Sequence, residues 1–400
     1  MIELLHTHPA GFKFDVIKYT KDKTTKRNTQ RPSTDEEALL ELRKIDKSGF
    51  IDRLLKHREL QKLFSTYMIG IRDKLSIRNK IHTSFLLHGT VTGRLSSREP
   101  NLQNIPRSTT TSDIKKMFVC PKGFVLLEVD YSQAELRVVA ELAEEETMLN
   151  WFREGQNIHT AVAAQLAGWG DRISEVKAIL KNPEHPDNLF WEKQKKKAKI
   201  VNFGILYGQT AENLAGSMSS ETERVTSEEA QEFLDKWLDT FPRIRKYMKN
   251  THKFVKEHGY VKSLFGRKRR LPGVYSELRG EVNKALRDSV NAPIQGTASD
   301  FTLFSSIIIH EERLKGTLPA SMRQVYTVHD SLGFYIKPEH IHEAVPKIIE
   351  ICNNPKTQQY FDFELTKVKM KVSPEVGANW GSLEEYSPTM DYKTLLTNDK

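Results

Sequence analysis

Residues 195–208 read KKKAKIVNFGILYG, and Lys195, Lys199, Phe203 and Tyr207 stand four apart in that run. A helix advances about 100° per residue, so each step of four drifts about 40°, and the four side chains share a stripe about 120° wide over roughly 18 Å. The stripe is cationic where it begins and aromatic where it ends. If the helix starts near the lysines, its free N–H groups and dipole add to their attraction for anions, while rings offer stacking surface for bases. Such a face suits a nucleoside triphosphate laid lengthwise. A basic amphipathic helix with core rings and solvated lysines satisfies the same spacing, so other residues must decide.

Upstream, residues 157–194 carry Gly168, Gly170, Pro183 and Pro186, and read as an insertion or loop before the lysine helix. Downstream, Thr226 and Glu229 form a capping box that opens a long helical region with Phe233, Trp237 and Leu238, broken at Pro242 and running to about Glu257. GYVKSLFGRKRRLPG at 259–273 reads as a hairpin, and 281–313 as helix interrupted by NAPIQGT at 291–297. QVYTVHDSLGFYI at 324–336 gives two β segments flanking His329 and Asp330, then a helix near 340–352 and a strand in KMKVSPEVG. Nearer the N-terminus, KYTKDKTTKRNTQ at 18–30 reads as an exposed, mobile arm. Thr34 with Glu37 caps a helix, and a second helix covers His57 to Leu63. HTSFLLHGTVTGRLSS alternates as a strand does, and Pro100 and Pro106 bracket the loop NLQNI, whose amides suit either contact work or plain turn chemistry. FVLLEVD at 124–130 is a continuous apolar strand, with Ser132 and Glu135 capping the next helix.

Four hundred residues predict two or three lobes. Lys and Arg outnumber Asp and Glu by 61 to 52, which favours a polyanionic partner, nucleic acid first among them. Cys120 and Cys352, the only cysteines, are far apart and lack a metal-ligand spacing, so neither a disulfide framework nor a zinc site is expected and a reducing compartment fits. The first residues lack a signal peptide's apolar core, and no apolar run reaches the ~18–20 residues of a membrane span, which predicts a soluble cytoplasmic protein with no membrane partner.

Asp130 and Asp330 each stand where a strand ends or turns. Two such carboxylates brought together suit a pair of Mg²⁺ ions about 3.5–4 Å apart, as in-line phosphoryl displacement uses, because Mg²⁺ takes oxygen ligands and shares its shell with substrate phosphates. A lone Asp at a turn is more often a turn former.

DYSQAELR at 130–137, the 195–208 run and VHDS at 328–331 resemble, in order and spacing, the three polymerase motifs of family A DNA polymerases. TVTGRLSSREPNLQNIP at 90–106, NIHTAVAAQLAG at 157–168, GYVKSLFGRKRRLP at 259–272 and NAPIQGTASD at 291–300 match as well, so the resemblance spans nearly the whole chain. It implies an α+β right-hand architecture: an N-terminal segment and partial thumb at 1–80, a palm with an antiparallel sheet at 81–155 and 281–400, and helical fingers at 156–280. It further implies template-directed addition of dNTPs to a primer 3′-hydroxyl in replication or repair. Asp130 and Asp330 would bind two Mg²⁺ ions, for which Mn²⁺ substitutes, with the backbone carbonyl of Tyr131 as a further ligand. Lys199 would meet the triphosphate and help protonate the leaving pyrophosphate, with Lys195 and His159 on the outer phosphates. Gln133 belongs to the same nucleotide site, Phe203 and Tyr207 pack beside sugar and base, and Glu135 blocks the ribose 2′-hydroxyl. Arg94, Asn101, Gln103, Asn104, Arg287, Asn291, Gln295 and His329 would line the primer–template through backbone and minor-groove contacts, as copying without reading sequence requires.

The chain departs from the family pattern at Lys195, where Arg is usual, at Ser331, where Glu is usual, and at Asn157, where Asp is usual; residues 169–194 also look longer than in most relatives. Lys keeps the charge of Arg but loses its bidentate geometry, which predicts weaker triphosphate affinity. Two other readings stay open: a single-subunit RNA polymerase relative, against which Glu135 argues, and a catalytically inactive polymerase-like module for DNA binding or assembly. No stretch resembles the family's 3′–5′ proofreading domain or 5′ nuclease. The expectation is that a second polypeptide supplies thumb helices, with or without a proofreading domain, docking on Phe12, Phe14, Val16, Ile17 and the helix at 57–63; the alternative is a minimal, distributive polymerase, and a phage source, acting in the host cytoplasm, suits either.

Overall fold

A computed structural model describes residues 1–21, 28–106, 113–219, 223–355 and 367–396. The chain divides into two compact units, residues 1–83 with 107–114, and residues 84–106 with 115–400.

In the first unit a short hairpin pairs β1 (Tyr19–Lys21) with β2 (Asn28–Pro32), so part of the expected arm is ordered strand; its residues 22–27 lie outside the described residues. Helix α1 (Glu36–Arg43) is capped by Asp35, whose carboxylate accepts from Ala38 N–H, one residue later than the expected Thr34 box. The reason is that Thr34 is engaged elsewhere: Arg58 donates to its carbonyl and hydroxyl. Helix α2 (Phe50–Lys62) is longer than expected and continues through a π-helical stretch, Leu63–Ile69, into α3 (Gly70–Arg72). Leu5, Leu39, Leu42, Ile51 and Leu54 form the core of this unit. Phe12 and Phe14 pack on that core, with the Phe12 ring 4.6 Å from that of Phe50. The surface expected to receive a partner at those two rings is therefore used within the unit itself.

The second unit is built on one sheet. Strands β3 (Ser84–Leu86) and β4 (Ser96–Arg98) make only a short hairpin where a longer strand was expected, and Asn101 caps a 3₁₀ turn over Leu102–Asn104. Then come β5 (Val125–Tyr131), α4 (Ala134–Ala143), α5 (Glu146–Arg153), α6 (Ile158–Leu166) and α7 (Ile173–Lys181). Helix α8 (Asn188–Leu206) starts almost two turns before Lys195. The stretch before the lysines is thus mostly helical: its Gly and Pro residues fall in the turns between α6, α7 and α8, and Trp191, Ala161, Val176 and Ile179 bury a small core among those helices. Helices α9 (Ala211–Met218), α10 (Ser227–Thr240) and α11 (Pro242–His258) follow. The Thr226–Glu229 capping box at the start of α10 is formed as expected, and Pro242 opens α11. Strands β6 (Tyr260–Lys262) and β7 (Lys268–Arg270) form the expected hairpin.

Helix α12 (Arg279–Lys315) runs without interruption through NAPIQGT, Pro293 included. The expected break fails because that segment is buried on nearly every side: Val290, Ala292, Ile294 and Ala298 pack inward, and Thr297 is fully buried. Strands β8 (Arg323–Val328) and β9 (Ser331–Ile336), helix α13 (Ile341–Asn353), and strands β10 (Val372–Gly377) and β11 (Leu383–Glu385) complete the unit.

The sheet order is β11-β10-β5-β9-β8, antiparallel throughout. Side chains alternate across a strand, and β5 uses both faces. Val125, Leu127, Val129 and Tyr131 join a core with α4, α12 and α13, where fully burying such a side chain stabilises by about 1.5–3 kcal/mol. Leu126, Glu128 and Asp130 take the opposite parity: Leu126 packs with Tyr326 and Trp380, and Trp380 and Tyr326 both donate to the Glu128 carboxylate. Asp130 is exposed at the end of that second face. Cys352 is buried and Cys120 partly so, and neither is in a disulfide.

Candidate functional site

Strand pairing brings the two acids together. Asp130 is the register partner of Ser331, the residue after Asp330, and Tyr131 N–H donates to the Asp330 carbonyl at 3.2 Å. The β8–β9 turn is tight, with His329 at φ 54°, and Ser331 Oγ donates back to the Val328 carbonyl to close it. The Tyr131 side chain points the other way, its buried hydroxyl bonded to Ser305 and Cys352, so only its backbone is near the acids.

Arg94 joins this pair to the helices. Its guanidinium donates to Glu135 Oε1 at 2.9 Å and to Asp330 Oδ1 at 3.3 Å. Burial opposes its charge, but Asp330 and then Glu135 hold its pKa above the ordinary value. The loop that carries it is pinned at Gly93, which has φ +87° and would drive a Cβ to 2.6 Å from Arg267 Nε, while Ser299 of α12 donates to the Gly93 carbonyl. Arg267 is itself fixed to Asp300 at 2.6 Å. Arg267, Asp300 and Ser299 lay within quoted motifs, yet nothing in their spacing marks them as the support of Arg94.

Glu135 was expected to cap α4. It does not: the cap is Gln133 at φ 57° with no side-chain bond of its own, and Glu135 is turned inward, 4 % exposed. There it also accepts from the Tyr207 hydroxyl at 2.9 and 3.1 Å. Burial raises the Glu135 pKa, with Arg94 pulling it back, and burial followed by the charge of Glu135 pushes Tyr207 up to about 12. Gln295 of α12 bonds Tyr207 as well. Gln133 Oε1 accepts from Ile158 N–H at 3.4 Å, linking the starts of α4 and α6, while its Nε2 is buried without a partner.

The stripe on α8 forms. Phe203 and Tyr207 stack at 6.2 Å with planes 15° apart, Lys199 is exposed and makes no salt bridge among the described residues, and Lys195 lies 3.9 Å from Glu192. Because the helix begins at Asn188, its N-terminal dipole, effective over about the first turn, does not reach the lysines; any attraction there for anions comes from their own positive charges. The helix ends where Gly208 turns at φ +63°, and a Cβ there would meet Arg287 Cγ at 2.5 Å. His159 sits across from Phe203 at 5.8 Å. It is 8 % exposed, and burial together with Lys199 and Lys195 lowers its pKa to about 4. Asn157 caps α6, accepting from His159 and Thr160 N–H, so Asn there does the capping work an Asp would do.

Of the residues expected along DNA, Asn101 is engaged in the 3₁₀ cap and with Ser97 Oγ at 2.9 Å. Gln103 is half-buried, Asn104, Arg287 and His329 are exposed, and Asn291 is buried with its amide nitrogen unpartnered. Among the described residues no group of three or more His, Cys, Asp or Glu side chains is poised to hold a metal. The donors near the acids are two carboxylates and a backbone carbonyl, all oxygen, which fits an ion that completes its shell from water and substrate. No helix among the described residues is long and apolar enough to cross a membrane.

The second unit thus joins helices to an antiparallel sheet whose interior strands β5 and β9 bring two acids together, with the cationic–aromatic stripe on α8. The model of DNA polymerase family A matches residues 12–382, and the chain belongs to that family. It is 34 % identical over 369 residues to the thermostable DNA polymerase I of Thermus filiformis and 36 % over 366 to that of Thermus thermophilus, covering 92 and 91 % of this chain. It is 32 % identical over 363 residues to the DNA polymerase of Bacillus phage SP01, covering 88 % of this chain. The chain spans 37–40 % of the length of these three relatives. The POL domain of Pol1 from M. smegmatis, in complex with DNA primer-template and dNTP, superposes with a TM-score of 0.77 at 29 % identity, covering 92 % of this chain and 59 % of that one. The expected α+β class and right-hand architecture stand on that likeness.

Proposed function

We propose that this chain is the polymerase region of a template-directed DNA polymerase, transferring a nucleotide from a dNTP to a primer 3′-hydroxyl. The observation that carries the reading is the meeting of Asp130 and Asp330 on adjoining strands, tied through Arg94 and Glu135 to Tyr207 at the end of the lysine–aromatic stripe. In this reading residues 81–155 and 281–400 are palm, 156–280 fingers, and 1–80 an N-terminal segment with part of the thumb.

Asp130, Asp330 and the Tyr131 carbonyl would hold two Mg²⁺ ions, which stabilise charge on the entering and leaving oxygens of an in-line displacement. Lys199 and Lys195 draw the triphosphate onto α8, and Lys199 gives a proton to the leaving pyrophosphate. Phe203 and Tyr207 offer their faces to sugar and base. Glu135, held by Arg94 and Tyr207, would meet a ribose 2′-hydroxyl, which favours dNTPs over the rNTPs of an RNA polymerase. Arg94 must release Asp330 as the acids take up their ligands, which frees it for the primer–template.

Primer extension on a templated duplex with Mg²⁺, comparing dNTPs with rNTPs, tests the reading. Extension with dNTPs is expected, and its loss in Asp130→Asn and in Asp330→Asn with duplex affinity little changed, because duplex affinity rests on many phosphate contacts elsewhere. Near-normal turnover in either variant would remove the acids from the chemistry.

A further inference from the structure

Behind Phe203, side chains from three helices form a buried line: Trp237 on α10, Asn202 on α8 and His159 on α6. Trp237 Nε1–H donates to Asn202 Oδ1 at 2.6 Å, and Asn202 Nδ2 lies 2.8 Å from His159 Nδ1. Trp237 and Asn202 are fully buried.

The chemistry of these groups fixes every proton. An indole nitrogen only donates, so the carboxamide oxygen must face Trp237 and the NH₂ must face His159. A carboxamide NH₂ also only donates, so Nδ1 must offer its lone pair and the single proton of a neutral imidazole is left on Nε2. Protonating Nδ1 would set two N–H groups head to head inside the protein, where an unmade hydrogen bond is expensive. Asn157 holds the first turn of α6 and Phe203 flanks the ring, so the imidazole is oriented as well as protonated.

We propose that Asn202, itself oriented by Trp237, is a positioning residue that fixes His159 as the neutral Nε2–H tautomer, a hydrogen-bond donor to an oxygen of the incoming triphosphate. The assignment rests on the polymerase reading for its substrate but not for its tautomer. A neutral donor adds a directed bond to the phosphate without adding positive charge beside Lys195 and Lys199, whose field with burial already holds the ring neutral. The opposite tautomer would aim a lone pair at an anion.

Two measurements test this. Nitrogen-15 NMR of the imidazole in the full chain, without substrate, should give a protonated Nε2 and an unprotonated Nδ1 across the neutral range; a protonated Nδ1 would overturn the proposal. This needs no variant and stays decisive if a variant fails to fold. In kinetics, Asn202→Leu should mix the tautomers and raise KM for dNTP about two-fold, with a smaller change in kcat, since only a fraction of the molecules then holds the donating tautomer. In a His159→Gln background Asn202→Leu should raise KM no further. An equal rise in both backgrounds would mean Asn202 acts through packing alone and would also overturn the proposal. Absence of extension by the unaltered chain would sink the polymerase reading while leaving the tautomer to be read by NMR.

Discussion

Glu135 is buried between a guanidinium and a phenol, and its removal should therefore have two separable effects. Glu135→Ala takes away the group proposed to meet a 2′-hydroxyl and leaves Arg94 with one carboxylate partner fewer. The kcat/KM ratio for dNTP over rNTP should fall by about ten-fold or more, the worth of one charge-assisted contact. Tyr207→Phe, which frees Glu135 from its second partner, should lower the same ratio less. Equal ratios in all three proteins would show that this cluster does not face the sugar. His159 carries a pH signature. Its folded pKa of about 4 lies below the ordinary 6.5, so between those values the unfolded chain binds more protons. Stability from this group is complete above about pH 7 and falls as pH drops through 6.5 toward 4, by roughly 3 kcal/mol in all. Denaturant midpoints at pH 7 and pH 4.5 should converge for unaltered protein and His159→Gln as pH falls. At this scale the sequence was legible in position: Asp130 and Asp330 stand at strand ends, as read, and the register brings them together. It was silent on Asn202 and Trp237, whose meaning depends on three helices meeting. It misled at Glu135, where a capping spacing gave way to buried tertiary partners, Arg94 and Tyr207.

Local signals at the level of single helices were reliable when nothing tertiary opposed them. The Thr226–Glu229 box is formed with both of its bonds, and Thr226→Ala should destabilise by about 1 kcal/mol, seen as a lower urea midpoint at unchanged m-value with primer extension intact. A larger loss, or one of activity, would mean the turn before α10 does more than cap. By contrast α8 starts at Asn188, although Pro183 and Pro186 stand just upstream, and α12 passes straight through Pro293. The two differ in cause: Pro183 and Pro186 lie in the turn between α7 and α8 and interrupt neither helix, whereas at Pro293 the few kcal/mol that Pro costs a helix are outweighed by the buried Val290, Ile294 and Ala298. The shift of the α8 start also removes the helix dipole from the physics of the stripe, since Lys195 and Lys199 sit mid-helix.

For the whole molecule, the excess of 61 basic over 52 acidic residues predicts that duplex affinity falls linearly in log–log form with salt. Between 50 and 200 mM the loss should be on the order of 10³-fold for about six phosphate contacts. Fluorescence anisotropy over a salt series checks this, and a flat response would mean that phosphates carry little of the binding. The division into two units was legible only as a length argument, and the boundary near residue 83 has no Gly- or Pro-rich linker to mark it. The sheet order adds a matter of timing. Strand β5 is complete by Tyr131, yet both of its neighbours, β9 and β10, lie between Ser331 and Gly377. Loop-closure entropy makes such distant pairings slow. During synthesis the first acid therefore waits, on a strand with both edges bare, while some two hundred further residues leave the ribosome; the chain's chemistry is assembled near the end of its folding, and a nascent chain stopped before β9 holds one half of the acid pair and an aggregation-prone edge.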